Sequence, residues 1–552
     1  MPPNRRRSTP NRRRFLGLMG ATTAAAFSPH LLTGCSPGGG GGGGAASDSS
    51  ALDGLIPDYI PFEGVVPDIE GIDGAPDGFT AYPDPPVQAL PEPPGSGGHY
   101  SAMTPMWGPI PPGLGNNSFY DYVNERIGAT VEFNFQDGDT IIDKMNAVIA
   151  GRDVADITMF PDWVINLIPQ FNRAVGELFE DLTPYLAGDA VSAYPMLANL
   201  ESNAWRWNVF NEQLQGVPWP SEPFSNWILY RRDLLDEYGL DLPTTPDELL
   251  EIGEEVNDPD NNRWAFGDFT LTARQIFGAP SEWRYEGGEL IHMFETDEWR
   301  ASVEFMYRVY EAGLVHPDIV AQSGNAKELI NSGQILFHQD GIGAWHEAYG
   351  QMLGENSDFR LDLVPVFGAD GNAPVMHRND PSAQSVFVRK GMEPEEIEEV
   401  LHILDFCAAP FGTREYMDYR YGEEGVHHEL NSDGAPELTD LGNTEVNDGY
   451  YFLSGRPPAV TESQFPDFVQ WKTDWFNDAI QHAEENPFTG IRIQRPERYS
   501  AAETPMADRV ENIIRGREGL ETLDSAIDDW RRDGGDEGRD FFLEVLQEHG
   551  RD

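Results

Sequence analysis

The first residues able to do chemistry lie near the start of the chain. Leu32-Thr33-Gly34-Cys35 sets small residues before a cysteine, the arrangement at which a signal peptidase cuts and a thiol is lipidated. Upstream, Asn11-Arg12-Arg13-Arg14-Phe15-Leu16-Gly17 fits the twin-arginine export pattern. The apolar run from Phe15 to Leu32 is broken by Pro29 and His30, so it reads as a signal region and not as a spanning helix. Cys35 is the expected membrane anchor, on the outer face of the cytoplasmic membrane.

Other reactive patterns are missing or incomplete. The sequence has no Gly-x-Ser-x-Gly elbow, no Walker loop and no HExxH. His427-His428-Glu429 reads as a solvated surface cluster, because adjacent histidines point apart on any regular element. Asp258-Pro259-Asp260-Asn261-Asn262 begins like a calcium loop, but no later acid closes it and a polar turn is expected. Cys407 lies on an apolar helical face and reads as a buried structural thiol. No catalytic residue, cofactor or metal is expected.

The formal charge is −56, with lysine only at 144, 327, 390 and 472. Such a surface repels nucleic acid and anionic headgroups, so neither is expected as a partner. It suits a salty exterior that screens self-repulsion. Seven glycines, Gly38 to Gly44, and then proline-rich sequence to about Gly98 predict a flexible tether over 36–97.

Beyond it, strands and helices alternate. Tyr100 to Trp107 is a strand, Asn117 to Arg126 a helix stopped by Gly128, and Val131, Phe133 and Phe135 a second strand. Ile141, Met145 and Val148 mark a helix, and Asp156 to Phe160 a buried strand. This order predicts a largely parallel α/β sheet. Thr245-Pro246-Asp247-Glu248 predicts a capping box, Gln334–Phe337 and Asp362–Val366 further strands, and Leu520–Trp530 a helix broken at Asp533-Gly534-Gly535.

Several stretches carry a resemblance. They are Ala150-Gly151-Arg152-Asp153 followed by Ala155-Asp156-Ile157, Gln215-Gly216-Val217-Pro218, and Leu229-Tyr230-Arg231-Arg232-Asp233-Leu234. Leu240 to Leu250, Asn331-Ser332-Gly333-Gln334, Tyr421-Gly422-Glu423-Glu424-Gly425-Val426 and Trp530 to Gly535 follow in order. Together they resemble the family-1 extracellular solute-binding proteins of ABC transporters, in the large lipoprotein branch with oligosaccharide and alginate binders. The resemblance implies two hinged α/β lobes, 98–225 with 383–445 and 226–382 with 446–552, after a leader over 1–35. It also implies a monomer that captures a carbohydrate between the lobes and hands it to permease subunits. Alginate-binding relatives complete a calcium loop where this chain stops short at Asn262.

Sugars offer apolar C–H faces to aromatic rings and hydroxyls to carboxylates, amides and arginines. Ligands of open α/β folds sit beyond strand ends. Those rules select Trp163, Trp219, Glu222, Trp283, Arg284, Trp345 and Glu424 as candidate ligand contacts, and leave Trp205, Trp299, Trp471 and Trp530 as core. The competing readings are a peptide or metal-chelate carrier, a surface polysaccharide-degrading enzyme, and a sensory lipoprotein.

Overall fold

The computed structural model describes residues 52–551, except 92, 107, 108, 166, 169, 354, 355, 433, 485 and 494 and the side chains of 139, 346, 347 and 350. The twin-arginine motif, Cys35, the glycine run and Trp107 lie outside the described residues.

Two sheets organise the fold. The strands in chain order are β1 (His99–Met106), β2 (Thr130–Asp137), β3 (Ile157–Pro161), β4 (Gly216–Pro220), β5 (Asn226–Arg231), β6 (Trp264–Phe266), β7 (Ile335–Gly341), β8 (Leu361–Leu363) and β9 (Ser382–Val388). The first sheet has the order β2-β1-β3-β9-β4 and the second β8-β5-β7-β6. β1 pairs in parallel with β2 and β3, as the alternating pattern predicts, but β9 runs antiparallel to both β3 and β4. The reason is connectivity: β9 arrives from the second sheet and enters at the edge where β3 and β4 end.

Local sequence explains the elements. Asn117 caps helix Ser118–Ile127 by accepting from the Phe119 and Tyr120 amides, and Gly128 closes it at φ 78°. Thr245 caps Pro246–Val256, accepting from the Glu248 amide. The Glu248 carboxylate reaches Thr244 Oγ1 at 2.7 Å and the Thr244 amide at 2.8 Å. The reciprocal half of the expected box therefore falls one residue early.

The first sheet buries both faces. Val131, Val217 and Val386 pack on helix Pro394–Cys407, and Met103, Phe160 and Phe387 pack on the other side. Cys407 is fully buried there, and burial pushes its thiol pKa up. The second sheet shares a core with helices Asp297–Glu311, Pro466–Ala479, Glu497–Ile514 and the C-terminal helices. Trp299 and Trp530 belong to that core and Trp205 to the first, while Trp471 is half-buried under the Arg232 guanidinium.

Residues 52–97 have little regular structure, yet from 52 on they are packed and not a free tether. Ile56, Phe79 and Leu90 join the first core and Ala75 the second. Asp77–Gly78 pair in parallel with Ala459–Val460. Buried carboxylates hold the rest: Glu415 accepts from the Ala89 and Leu90 amides, and Glu399 from those of Ser96 and Gly98. A proline-rich segment makes few internal hydrogen bonds, so the body supplies them.

The C-terminal glycines are packing sites. Helix Leu523–Trp530 passes through a wide turn, Arg531–Gly535, into helix Asp536–Glu548 with no intervening loop. A β-carbon at Gly535 would lie 2.8 Å from the Trp530 ring, and one at Gly538 2.1 Å from the Tyr499 ring. Tyr499 is fully buried and bonded to Glu282, so it cannot yield. Gly538→Ala gains about 1 kcal/mol of helix propensity but overpacks a fixed ring at a cost of about 1–3 kcal/mol. The expected outcome is a lower urea midpoint, and a variant as stable as the parent would mean that Tyr499 swings aside.

Candidate ligand-binding cleft

Both sheets end their strands where the chain passes between them. β4 leads through 221–225 into β5, β8 returns through 364–381 to β9, and 454–465 joins the turn Tyr450–Leu453 to helix Pro466–Ala479. Cavities of about 350 Å³ and 440 Å³ flank these crossings and share Pro220, Ser221, Glu222, Asn379, Pro457 and Pro458 as walls.

Trp219 stands at the end of β4 in the smaller cavity. Its indole meets the rings of Tyr451 (centroids 4.9 Å) and Phe452 (5.5 Å), and the Arg456 guanidinium lies 5.0 Å from its centroid. Gln384, beside Trp219 in the β4–β9 register, lines the same space. Glu222, in the first crossing, is 3.9 Å from Lys472 Nζ, which is 3.6 Å from Glu462 in the third. Lys472 is buried. Desolvation works against its ammonium, but Glu462 and then Glu222 outweigh it and raise its pKa. One side chain thus ties two crossings to a helix of the second core.

Arg492, in the wall of the larger cavity, pairs at 2.7 Å with Asp162, just past β3. Arg492 also donates to the Trp207 carbonyl at 2.8 Å and lies over the Trp207 ring at 4.7 Å. This pair joins the first sheet to the segment before helix Glu497–Ile514. Asp380, in the second crossing, remains open to solvent between the same walls.

The structure brings Trp219 and Glu222 together and disperses the other expected contacts. Trp163 is 48% exposed on the short turn Asp162–Ile165 past β3. Trp283 and Arg284 occupy a strand of the hairpin Trp283–Glu286/Glu289–His292, where neighbours face opposite ways. Trp283, 1% exposed, packs on His292 and Phe542 at the cavity's back. Arg284 turns outward to Glu298 at 3.1 Å and lines a separate cavity of about 540 Å³. Trp345 is a core residue: it is fully buried, and its indole N–H donates to the Leu361 carbonyl at 2.7 Å. Glu424 is exposed on a turn bridged to His428 and lines none of these cavities.

Sequence reasoning passed over Arg456, Gln384, Tyr451, Asp162 and Arg492. Asp162 adjoins Trp163, so that neighbourhood was marked but not the side chain, whereas the Pro457-Pro458 pair after Arg456 was a signal left unread.

One local expectation changes. His427 and His428 are buried and not solvated: His427 bonds Ser118 Oγ at 3.0 Å and accepts from the Glu423 amide, and His428 bonds the Tyr421 carbonyl. Asp258 holds Asn261 and Arg263 in a polar turn. Glu282, His292 and Glu503 converge within 4.8 Å, a spacing compatible with a metal. Here, however, His292 Nδ1 accepts from the Phe294 amide, and Arg495 bonds both carboxylates. That leaves the Nε2 proton facing Tyr499 and a guanidinium in the cation's place.

The cavity walls around Asp380 displace much of the water from its carboxyl and raise it to about 6, and Asp162 and Glu282 add to the effect against Arg492 and Arg495. The folded group thus holds its proton well above the usual aspartate pKa of 3.8. Its stabilisation is complete below 3.8 and is lost as pH rises through about 6. Asp380→Asn is therefore expected to raise the thermal midpoint at pH 8 and to change it less at pH 5. Equal shifts at both pH values would show that this carboxyl is not displaced.

Residues 115–391, just over half of the chain, match the bacterial extracellular solute-binding protein family. The polygalacturonan/rhamnogalacturonan-binding protein YtcQ of Bacillus subtilis (strain 168) is 24% identical over 309 residues, 53% of this chain and 59% of that relative, so the alignment spans less than two thirds of it. Lipoprotein LipO of the same strain is 22% identical over 473 residues, 79% of this chain and 89% of LipO. The crystal structure of alginate-binding protein AlgQ2 without calcium ion shares the two-lobed fold, with a TM-score of 0.59 at 14% identity over 84% of this chain and 99% of that one. The chain belongs to the bacterial extracellular solute-binding proteins, which serve ABC transporters as binding components and not as enzymes.

Proposed function

We propose that this protein captures an oligosaccharide at the crossings between its lobes and delivers it to the permease of an ABC importer. The observation that carries this reading is the smaller cavity. Trp219 and Tyr451 give it aromatic surface for a sugar's C–H face, and Glu222 and Gln384 give it polar groups for hydroxyls. Relatives named for binding polygalacturonan and alginate support the same class. The three crossings support a hinge, with lobes over 98–225 plus 383–445 and 226–382 plus 446–552. Tyr450 and Leu453 pack into the first core, which favours placing the third boundary a few residues later. Closure would come from tighter binding to the closed state. Lipidation of Cys35 after twin-arginine export would keep a monomer beside its permease.

The test is thermal unfolding of the chain against a panel of oligosaccharides. A ligand at a hundredfold excess over its Kd stabilises the folded state by about 2.7 kcal/mol. One sugar class is expected to raise the midpoint without product, and Trp219→Ala to abolish that shift. Shifts only with peptides or chelates would remove carbohydrate from the reading. Separately, Cys35→Ala is expected to move the protein from the membrane to the soluble fraction, and retention at the membrane would refute anchoring at that thiol.

A further inference from the structure

Three lysine or arginine side chains are buried among the described residues: Arg231, Lys472 and Arg456. Arg231 pairs with Asp233 at 2.7 Å, and Lys472 lies near Glu462 and Glu222. Arg456, 6% exposed, pairs with no carboxylate among the described residues, although the chain holds 93 acids against 37 lysines and arginines. One of its terminal nitrogens donates to the Tyr451 carbonyl at 2.7 Å and to the Ser454 carbonyl. Its Nε and its other terminal nitrogen donate to nothing. The guanidinium lies 3.7 Å from the Tyr451 ring centroid and lines the same cavity as Trp219 and Gln384.

Leaving a buried guanidinium with unmade hydrogen bonds and no counter-charge is strongly unfavourable. Cation–π contact with Tyr451 and Trp219 offsets part of that cost. A chain so rich in acids has a carboxylate available for nearly every base. Here the surplus is withheld from the one buried base that borders the smaller cavity without a carboxylate, so the missing counter-charge belongs to something that enters.

Resting on the reading of this cavity as a sugar site, we infer that the sugar unit seated beside Arg456 carries a carboxylate, so that the ligand is an oligosaccharide containing uronic acid. The Arg456 guanidinium in the cavity wall supplies the opposite charge to that carboxylate, and Trp219 or Tyr451 takes the ring face. Glu222, also in the cavity wall, does not cancel this attraction, because Lys472 already faces it at 3.9 Å. The strongly acidic surface does not forbid such a ligand. Exposed charges more than about 8 Å away are largely screened at physiological salt, whereas a buried charge at contact is screened far less.

The experiment is calorimetric titration of the full chain in detergent with oligogalacturonate, oligomannuronate and oligoglucuronate. Each is compared with the same oligosaccharide after chemical reduction of its carboxylates to hydroxymethyl groups. At least one acidic form is expected to bind about 30-fold more tightly than its reduced counterpart, the low end for unpairing a buried charge. Arg456→Met should lose about the same factor for the acidic sugar and leave the reduced one within a few-fold. Neutral oligosaccharides bound as tightly as acidic ones, or acidic binding unchanged in Arg456→Met, would overturn the inference and leave the sugar-carrier reading standing. Binding to no carbohydrate of either kind would overturn both. Should Arg456→Met fail to fold, the comparison of acidic and reduced sugars on the parent chain decides alone.

Discussion

A strand that re-enters a sheet from the edge where its neighbours leave has to run against them. β9 does so between β3 and β4, because the chain has meanwhile built the second sheet. That reversal brings the end of β3, the end of β4 and the start of β9 to one edge, and it places the crossing segments side by side there. The cavities, the tie through Lys472 and the pair of Asp162 with Arg492 all lie at this seam. A hinged binding protein needs such an arrangement, since a ligand held between two bodies can favour their closed state only if it touches both.

Charge is used unevenly across the molecule. The acid surplus serves structure where carboxylates are buried: Glu399 and Glu415 accept amides of the N-terminal segment and bind a proline-rich stretch to the body. Two bases sit at the seam, where Lys472 offsets Glu222 and Glu462 and Arg492 pairs with Asp162. Arg456 departs from this pattern, and the departure gives its cavity chemical character. Its guanidinium is held in place by rings and carbonyls, so its orientation does not depend on a counter-ion.

Elements were legible in the sequence where their cause is local. Asn117, Gly128 and Thr245 act through neighbours within a turn, so caps and helix ends could be read directly. Glu248 reached Thr244 and not Thr245, a shift of one residue that periodicity does not resolve. Of the expected ligand contacts, Trp219 and Glu222 were legible because they follow a strand end and precede a crossing. Trp345 also follows a strand and a glycine turn, but its helix buries it under Phe468. Trp283 and Arg284 were read as one loop, and a hairpin's alternation sends them to opposite sides. The proline-rich segment looked free because its hydrogen-bond acceptors lie some 300 residues away in sequence.

The sequence by itself determined the α/β class, the family and the acidity of the surface, since each follows from residue type, order and short spacing. Only the tertiary structure decided which tryptophan faces a cavity and that β9 opposes its neighbours. It also decided that Lys472 finds two carboxylates while Arg456 finds none. Those outcomes depend on which distant segments share a wall, and burial then sets the cost of each unpaired group. Contacts across 250 residues leave no periodic trace in the chain, so Lys472 and Glu222 meet only once the fold exists.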